Sequence, residues 1–213
     1  MRGDVIIVEE HHRRAAEAIA DRLQAEISGR DRPTTITVAG ESGSGKSETA
    51  EALREAFADR DVNAVVLQQD DYFVLPPKSN DRRRREDISW VGTGEVQLTL
   101  LDDHLRAAKA RESHITKPLV IYEEDRVTEE ELELYGAQVV IAEGTYTTLL
   151  EEADHHIFID RDFHETLAAR QRRGREKFDP FIEKVLEIEH QIIARSKSRA
   201  DIVISREYEV SFL

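Results

Sequence analysis

Short apolar runs alternate along the chain with longer amphipathic stretches. Runs rich in β-branched and apolar residues are typical of buried parallel strands. Five such runs occur, at residues 34–40, 62–70, 137–144, 155–160 and 200–205. Apolar residues spaced three or four apart predict helices instead. The helical stretches cover residues 11–27, 47–60, 95–110, 128–135, 163–173 and 180–196.

The order of these elements predicts the fold class. Strands that alternate with helices form right-handed βαβ units, so we expect an α/β protein with a parallel sheet between two layers of helices. The 213 residues show no internal repeat or low-complexity linker, which suits a single domain over residues 1–213. Residues 1–32 precede the first predicted strand and form an N-terminal extension that contains a helix.

Composition excludes several classes of site and partner. The chain has no cysteine, which rules out disulfides and thiolate metal sites and fits a reducing compartment, so a cytoplasmic protein is expected. Its net charge of −14 opposes general attraction to nucleic acid or to an anionic membrane, and neither is expected as a partner. The apolar run at residues 5–8 is too short for a signal peptide or a membrane span.

Two further groups of charged or titratable residues receive structural interpretations. The basic run at residues 81–87 could meet an acceptor phosphate or RNA, but acids bracket it, which favours a solvated loop. The histidine pairs at residues 11–12 and 155–156 lack metal-site spacing with other ligands. We therefore expect no zinc site and place these histidines at the surface and at strand ends.

The first strand runs into the sequence GESGSGKS at residues 40–47, and a helix follows. This matches the phosphate-loop pattern G-x-x-x-x-G-K-S/T in its required strand-loop-helix context; the alternative is a glycine-rich turn that matches by chance. Successive main-chain N–H groups of such a loop point at one anion, Lys46 adds a full positive charge, and Ser47 is placed to ligate Mg²⁺. A nucleoside triphosphate such as ATP is the ligand this predicts. Its expected contacts are Gly40, Glu41, Ser42, Gly43, Ser44, Gly45, Lys46, Ser47 and Glu48.

Acidic residues follow two of the other predicted strands. Asp70 and Asp71 end the second strand, and Glu143 ends the third just before a glycine. Because ligands of open α/β sheets lie at the carboxyl edge, these acids are expected near the γ-phosphate. An aspartate there can accept the proton of an attacking hydroxyl, and Glu143 can hold Mg²⁺ directly or through water. Turn capping or another structural role is the alternative for each.

Other polar and aromatic residues are candidates for contacts to phosphate or to an acceptor. Arginines flank Gly174 at the end of a predicted helix, where they could close over phosphates as a lid, or could simply lie on a solvated helix face. Trp90, the only tryptophan, lies beside two glycines and could stack on a base or sugar or merely pack.

Five motifs together resemble the uridine kinase and phosphoribulokinase group of phosphate-loop kinases, and most of all uridine kinase. They are GESGSGKS, LQQDDYF, VVIAEGTY, IDRDFHETLAARQRRGRE and SRADIVI. The resemblance covers nearly the whole span from residue 35 to residue 205. It implies a phosphate-loop sheet of nucleoside-monophosphate-kinase type, an arginine-rich lid at about residues 170–182, and an assembly of identical subunits.

The same resemblance implies roles for particular residues. Asp70 would be the catalytic base and Glu143 an acid of the magnesium site, with Asp71 left open as the alternative base. The lid contacts to phosphate would be Arg170, Arg173 and Arg175. Of the expected acceptor contacts, Tyr122 rests on the resemblance, whereas Asp71, Tyr72 and Trp90 are expected from their places after the second strand and beside two glycines.

The chain departs from the uridine kinase pattern where the acceptor would bind. The segments REDISWVGTGEVQLTLL and KPLVIYEEDRVTEEE replace the family's nucleoside-gripping stretches, apart from Tyr122. We expect an ATP- and Mg²⁺-dependent kinase that phosphorylates a hydroxyl of a small molecule, with uridine as the leading acceptor. A sugar phosphate, glycerate or pantothenate is the alternative acceptor, and a nucleotide-gated regulatory module is the alternative function.

Overall fold

The computed structural model describes residues 5–166 and 179–213. A six-stranded sheet runs in the order β2-β5-β1-β6-β7-β8, and a separate two-stranded hairpin pairs β3 with β4. The strands are β1 (Thr34–Gly40), β2 (Ala64–Gln68), β3 (His114–Ile121), β4 (Arg126–Glu133), β5 (Val139–Gly144), β6 (His155–Ile159), β7 (Ile202–Ile204) and β8 (Val210–Phe212). The five strands expected from the sequence are all present and parallel, whereas the unpredicted edge strand β8 is antiparallel to β7.

Helices cover both faces of the sheet, as the alternating pattern predicts. They are α1 (Glu10–Gly29), α2 (Lys46–Ala58), α3 (Pro77–Glu86), α4 (Leu98–Lys109) and α5 (Pro180–Ser196). Apolar residues of α1 and α2 share one core with one face of the sheet, and those of α4 and α5 share a second core with the other face. The result is a three-layer α/β fold, and none of the helices among residues 5–166 and 179–213 is long and apolar enough to cross a bilayer.

Strand β1 occupies the centre of the sheet because every one of its residues can be buried. All seven lie below the surface, with β5 on one side and β6 on the other. The parallel register brings the carboxyl ends of β1, β2 and β5 to the same edge. That edge is where the glycine-rich loop, the acids after β2 and Glu143 meet.

The helix predicted at residues 128–135 is wrong, because this segment forms most of β4. Its glutamates and leucines are good helix formers, but β4 pairs with all eight residues of β3. Leu132 faces the core beside Ile115 of β3, while Glu129, Glu131 and Glu133 remain exposed. Hairpin pairing and the burial of alternate residues therefore override the helix propensity.

The solvated loop expected at residues 81–87 is also wrong, because residues 81–86 form the second half of α3. The helix starts at a proline, which suits the first helical turn. Arg84 packs inward and pairs with Glu95 at 2.5 Å and with Glu189 of α5 at 2.9 Å. The neighbouring arginines stay at the surface, so one basic residue of the run is structural.

Other differences concern the ends of elements. Helix α4 begins three residues later than predicted, since residues 93–95 form a 3₁₀ turn that buries Glu95 completely. Of the helix predicted at residues 163–173, residues 163–166 form a turn and the rest lies outside the described residues. Among the histidines expected at the surface, His12 is instead buried against Tyr208.

Candidate active site at the carboxyl edge of the sheet

The glycine-rich loop between β1 and α2 has the backbone of an anion cradle. Gly43 and Gly45 adopt φ values of 75° and 100°, which residues with a Cβ rarely adopt. Gly45 caps α2, so the positive end of that helix faces the loop. Lys46 Nζ donates to the carbonyl oxygen of Glu41 at 2.8 Å, which folds the ammonium group over the loop. Such a cradle can bind the phosphates of a nucleotide.

Side chains from distant parts of the chain hold this loop in place. Thr166 Oγ1 donates to the carbonyl oxygen of Ser42 at 2.7 Å. His190 of α5 contacts the Glu41 carboxylate at 2.5 Å, while burial raises the pKa of Glu41. Tyr208 Oη donates to the carbonyl oxygen of Ser44 at 2.7 Å. The loop is thus fixed on several sides, as a preorganised anion site requires.

Glu143 lies beside the start of α2 and is almost fully buried. Ser47 Oγ donates to Glu143 Oε1 at 3.1 Å, which joins the end of β5 to the phosphate loop. Burial and, to a smaller extent, the negative charge of Asp70 raise the pKa of Glu143 to about 7, while the positive charge of Lys46 opposes the rise. A cation at this point would stabilise the ionised carboxylate. Because a hydroxyl and a carboxylate are hard oxygen ligands, the pair of Ser47 and Glu143 fits Mg²⁺.

Asp70 and Asp71 have opposite environments although they are adjacent. Asp70 is exposed on the 3₁₀ turn that follows β2 and is close enough to Glu143 to affect its pKa. Asp71 is buried, with Oδ2 at 2.8 Å from Lys117 Nζ and Oδ1 accepting the Val120 amide at 3.0 Å. Asp71 therefore anchors the hairpin to the sheet, and Asp70 is the carboxylate that faces solvent at the site.

The hairpin closes one side of a cavity of about 330 Å³ next to Ser47 and Glu143. Lys117 spans the wall of this cavity, since its Nζ also contacts Glu130 of β4 at 2.8 Å. The lining consists of Ile6, Ser47, Glu51, Val66, Gln68, Asp71, Lys117, Leu119, Glu130, Leu132 and Glu143. A small molecule in this cavity would lie beside the phosphate loop.

Gly144 has a packing role that the sequence does not reveal. A Cβ at this position would lie 2.2 Å from Cβ of Gln69, so no larger residue fits there. Gln69 Oε1 accepts the Tyr146 amide at 2.8 Å and so joins the turns that follow β2 and β5. This contact fixes the spacing between the ends of the two strands that carry Asp70 and Glu143.

Three aromatic residues expected at the acceptor do not line the cavity. Tyr72 is buried, with its hydroxyl 2.8 Å from His104 Nδ1. Trp90 Nε1 donates to Asn80 Oδ1 at 2.9 Å, and Tyr122 follows the last residue of β3. The lid residues Arg170, Arg173 and Arg175 lie outside the described residues.

Several residues that build the site could not be identified from the sequence. Lys117 was the easiest of them to predict, because it is one of only seven lysines and interrupts an apolar strand. Glu51, Glu130 and Ile6 gave no comparable signal, since their place in the cavity wall depends on how α2, the hairpin and the N-terminal segment pack together.

Comparisons with known proteins agree with this architecture. The chain is 28% identical over 189 residues to the bifunctional α-galactosidase/sucrose kinase AgaSK of Mediterraneibacter gnavus, covering 82% of this chain but only 20% of that protein. It is 26% identical over 188 residues to the uridine kinase of Bacillus mycoides strain KBAB4, covering 83% of this chain and 87% of that enzyme. The structure of D-glycerate 3-kinase from Cryptococcus neoformans var. grubii shares the fold, with a TM-score of 0.64 at 13% identity over 96% of this chain and 100% of that one.

A family model matches residues 35–211, from β1 through the phosphate loop and both acidic strand ends to β8. This span holds the cradle, the Ser47–Glu143 pair and every residue that lines the cavity under the hairpin except Ile6, which belongs to the N-terminal segment before it. The chain therefore belongs to the phosphoribulokinase and uridine kinase family of phosphotransferases.

Proposed function

We propose that this protein transfers the γ-phosphoryl group of ATP to a hydroxyl of a small, uncharged acceptor bound in the cavity under the hairpin. The observation that carries the proposal is that Ser47, at the end of the phosphate loop, and its partner Glu143 both line that cavity, while exposed Asp70 lies close enough to Glu143 to raise its pKa. An acceptor there would lie between the triphosphate and a carboxylate able to take its proton. Such positioning supplies most of the acceleration in phosphoryl transfer.

Each residue of the site has its own role in phosphoryl transfer. The loop amides and Lys46 hold the β and γ phosphates and offset the charge that develops on them. Asp70 accepts the proton of the attacking hydroxyl, because Asp71 is committed to Lys117 and to the Val120 amide. The arginines at positions 170, 173 and 175 are proposed to close over the transferring group.

Ser47 and Glu143 are proposed to hold Mg²⁺ with the nucleotide. When bound, the cation would neutralise the phosphate oxygens and keep Glu143 ionised. The protein's own part is to bury Glu143 next to Ser47, so that the carboxylate has few other sources of stabilisation.

Charge in the cavity favours a neutral acceptor. Four carboxylates line it, from Glu51, Asp71, Glu130 and Glu143, against the single lysine among the lining residues. Lys117 is engaged with Asp71, Glu130 and the Pro118 carbonyl, and Glu51 is paired with Arg54, so the charge of the lysine is already matched and the lining stays acidic overall. A sugar phosphate or glycerate would bring a negative charge into this acidic surrounding at a Coulombic cost. Uridine therefore stays the leading acceptor, and a neutral sugar replaces the charged metabolites as the alternative.

An ADP-release assay across acceptors tests the proposal. We expect turnover with a neutral nucleoside or sugar, and at least ~100-fold lower kcat/KM for ribulose 5-phosphate and glycerate, which corresponds to ~3 kcal/mol. Lys46→Ala should abolish this turnover while circular dichroism shows an intact fold.

Two results would overturn the proposal. Preferred phosphorylation of an anionic acceptor would contradict the acceptor class. ATP binding without release of ADP in the presence of any acceptor would instead support a nucleotide-gated regulatory module.

A further inference from the structure

The rear of the phosphate loop, opposite the face that would meet phosphates, rests on two residues from other parts of the fold. Tyr208, in the turn between β7 and β8, donates its hydroxyl proton to the carbonyl oxygen of Ser44 at 2.7 Å. His12 of α1 lies behind it, with Nε2 3.2 Å from Tyr208 Oη. Both side chains are 5% exposed, so no bulk water competes for these hydrogen bonds.

The backbone fixes the direction of this hydrogen-bond chain. The Glu9 amide donates to His12 Nδ1 at 3.0 Å, so Nδ1 is the acceptor and Nε2 carries the proton. His12 then donates to Tyr208 Oη, and Tyr208 donates onward to Ser44. Burial lowers the pKa of His12 to about 4, which keeps the imidazole neutral as this arrangement requires. Arg161 also reaches Tyr208 Oη, at 3.3 Å.

The same pair fills the space directly behind Gly45. A Cβ built on Gly45 would lie 2.2 Å from Tyr208 Oη and 3.0 Å from His12 Nε2. Tyr208 itself adopts a φ of 63°, a left-handed conformation that is strained for an aromatic residue. The fold thus holds Tyr208 in a strained backbone state that places its hydroxyl against the loop.

The contact to Ser44 determines where the next amide points. Across a trans peptide the C=O and the following N–H point in opposite directions. Because Tyr208 holds the Ser44 carbonyl toward the rear, the N–H of Gly45 is turned toward the front of the loop. An N–H in that orientation is available to a phosphate oxygen without reorganisation.

We infer that Tyr208 and His12 are positioning residues that set the Ser44–Gly45 peptide for binding of nucleotide phosphates. This inference rests on the proposed function, since it takes ATP as the ligand. His12 precedes residue 35, where the family match begins, so part of the loop's support comes from the N-terminal segment. Glu9, His11 and His12 also cluster closely enough to suggest a metal site, but both ring nitrogens of His12 are engaged in the chain described above.

Tyr208→Phe tests the inference, because it deletes only the hydroxyl. The ring would keep its contacts with His11 and His12, whose centroids lie 4.1 Å and 4.9 Å away. We expect the Kd for ATP and for inorganic tripolyphosphate, measured by calorimetry, to rise by the same factor of about ten, while the acceptor KM stays unchanged. Tyr135→Phe is the matched control, since it removes the same atom from a side chain that is 79% exposed.

Substitutions at His12 provide an independent comparison that does not require Tyr208→Phe to fold. His12→Gln keeps an N–H that can reach Tyr208 Oη and should bind both ligands within about twofold of wild type, whereas His12→Ala should weaken both severalfold. Equal affinity for tripolyphosphate in wild type, Tyr208→Phe and His12→Ala would overturn the inference while leaving ATP binding intact. Failure of the wild-type protein itself to bind ATP would instead overturn the proposed function.

Discussion

Asp70 and Asp71 show how strongly one residue's surroundings decide its use. Both follow β2, but only Asp71 is buried against Lys117 and a backbone amide. A carboxylate held by two donors is well placed to fasten elements together and badly placed to accept a substrate proton. The exposed neighbour, beside Glu143, has the freedom to contact an acceptor hydroxyl.

The first prediction therefore separates these two carboxylates. Asp70→Asn should lower kcat by about 10²–10⁴ because the amide cannot act as a base, while the Kd for ATP and the melting temperature change little. Asp71→Asn should retain much of the turnover and lose stability. Steady-state kinetics with calorimetric ATP binding and thermal melts check both variants. Loss of turnover in Asp71→Asn alone, with its fold intact, would mean that the base is the other carboxylate.

Residues whose chemistry is encoded locally could be predicted from the sequence. The glycines, Lys46 and Ser47 share one loop, and Glu143 ends a recognisable strand. Lys117 and Tyr208 could not be found in this way, because their partners are 46 and 164 residues away along the chain. Their roles depend on tertiary packing, which no spacing rule reports.

The hairpin of β3 and β4 is the element for which sequence and structure differ most. Its second strand carries a run of glutamates that favours a helix in isolation. The structure instead uses Lys117 to attach the hairpin to Asp71 across a cavity wall. The same tertiary dependence applies to α3, whose Arg84 is drawn inward by Glu95 and Glu189. Central strands, by contrast, are apolar enough to be predicted.

The second prediction concerns the attachment of the hairpin to Asp71 through Lys117. Lys117→Met leaves the Asp71 and Glu130 carboxylates without their shared ammonium, and should lower the free energy of unfolding by about 3 kcal/mol. It should also raise the acceptor KM, because the hairpin forms the cavity wall, while ATP affinity stays the same. Arg126→Met, which breaks an exposed ion pair with Glu124 in the same hairpin, is the control and should change stability by under about 1 kcal/mol. Equal stability of the two variants would contradict the role of Lys117.

Across the whole molecule, the edge of the sheet at the carboxyl ends of the strands differs in function from the edge at their amino ends. The carboxyl edge holds the candidate active site, with loop glycines at positive φ and a buried glutamate whose pKa is raised. The opposite edge is stabilised by Asp154, which immediately precedes β6. Its carboxylate accepts two hydrogen bonds from Arg32 at 2.8 Å and one from the Thr35 amide at 3.0 Å, and it pairs with Arg30 just after α1. This stabilising cluster around Asp154 is therefore spatially separated from the candidate active site.

The last prediction follows from that separation. Although burial opposes ionisation of Asp154, the hydrogen bonds from Arg32 and Thr35 and the charge of Arg30 hold its pKa well below the usual value. A depressed carboxyl pKa stabilises the folded state above the unfolded pKa of about 3.9, and this contribution is lost as the pH falls toward the folded value. Asp154→Asn should thus lower the free energy of unfolding by about 3 kcal/mol at pH 7, and by clearly less at pH 3. Urea denaturation at both pH values measures this difference, and calorimetry at pH 7 should show unchanged ATP affinity because the substitution lies at the far edge of the sheet. A stability difference that stays the same at pH 3, or a weakened ATP complex, would contradict the separation of the two edges.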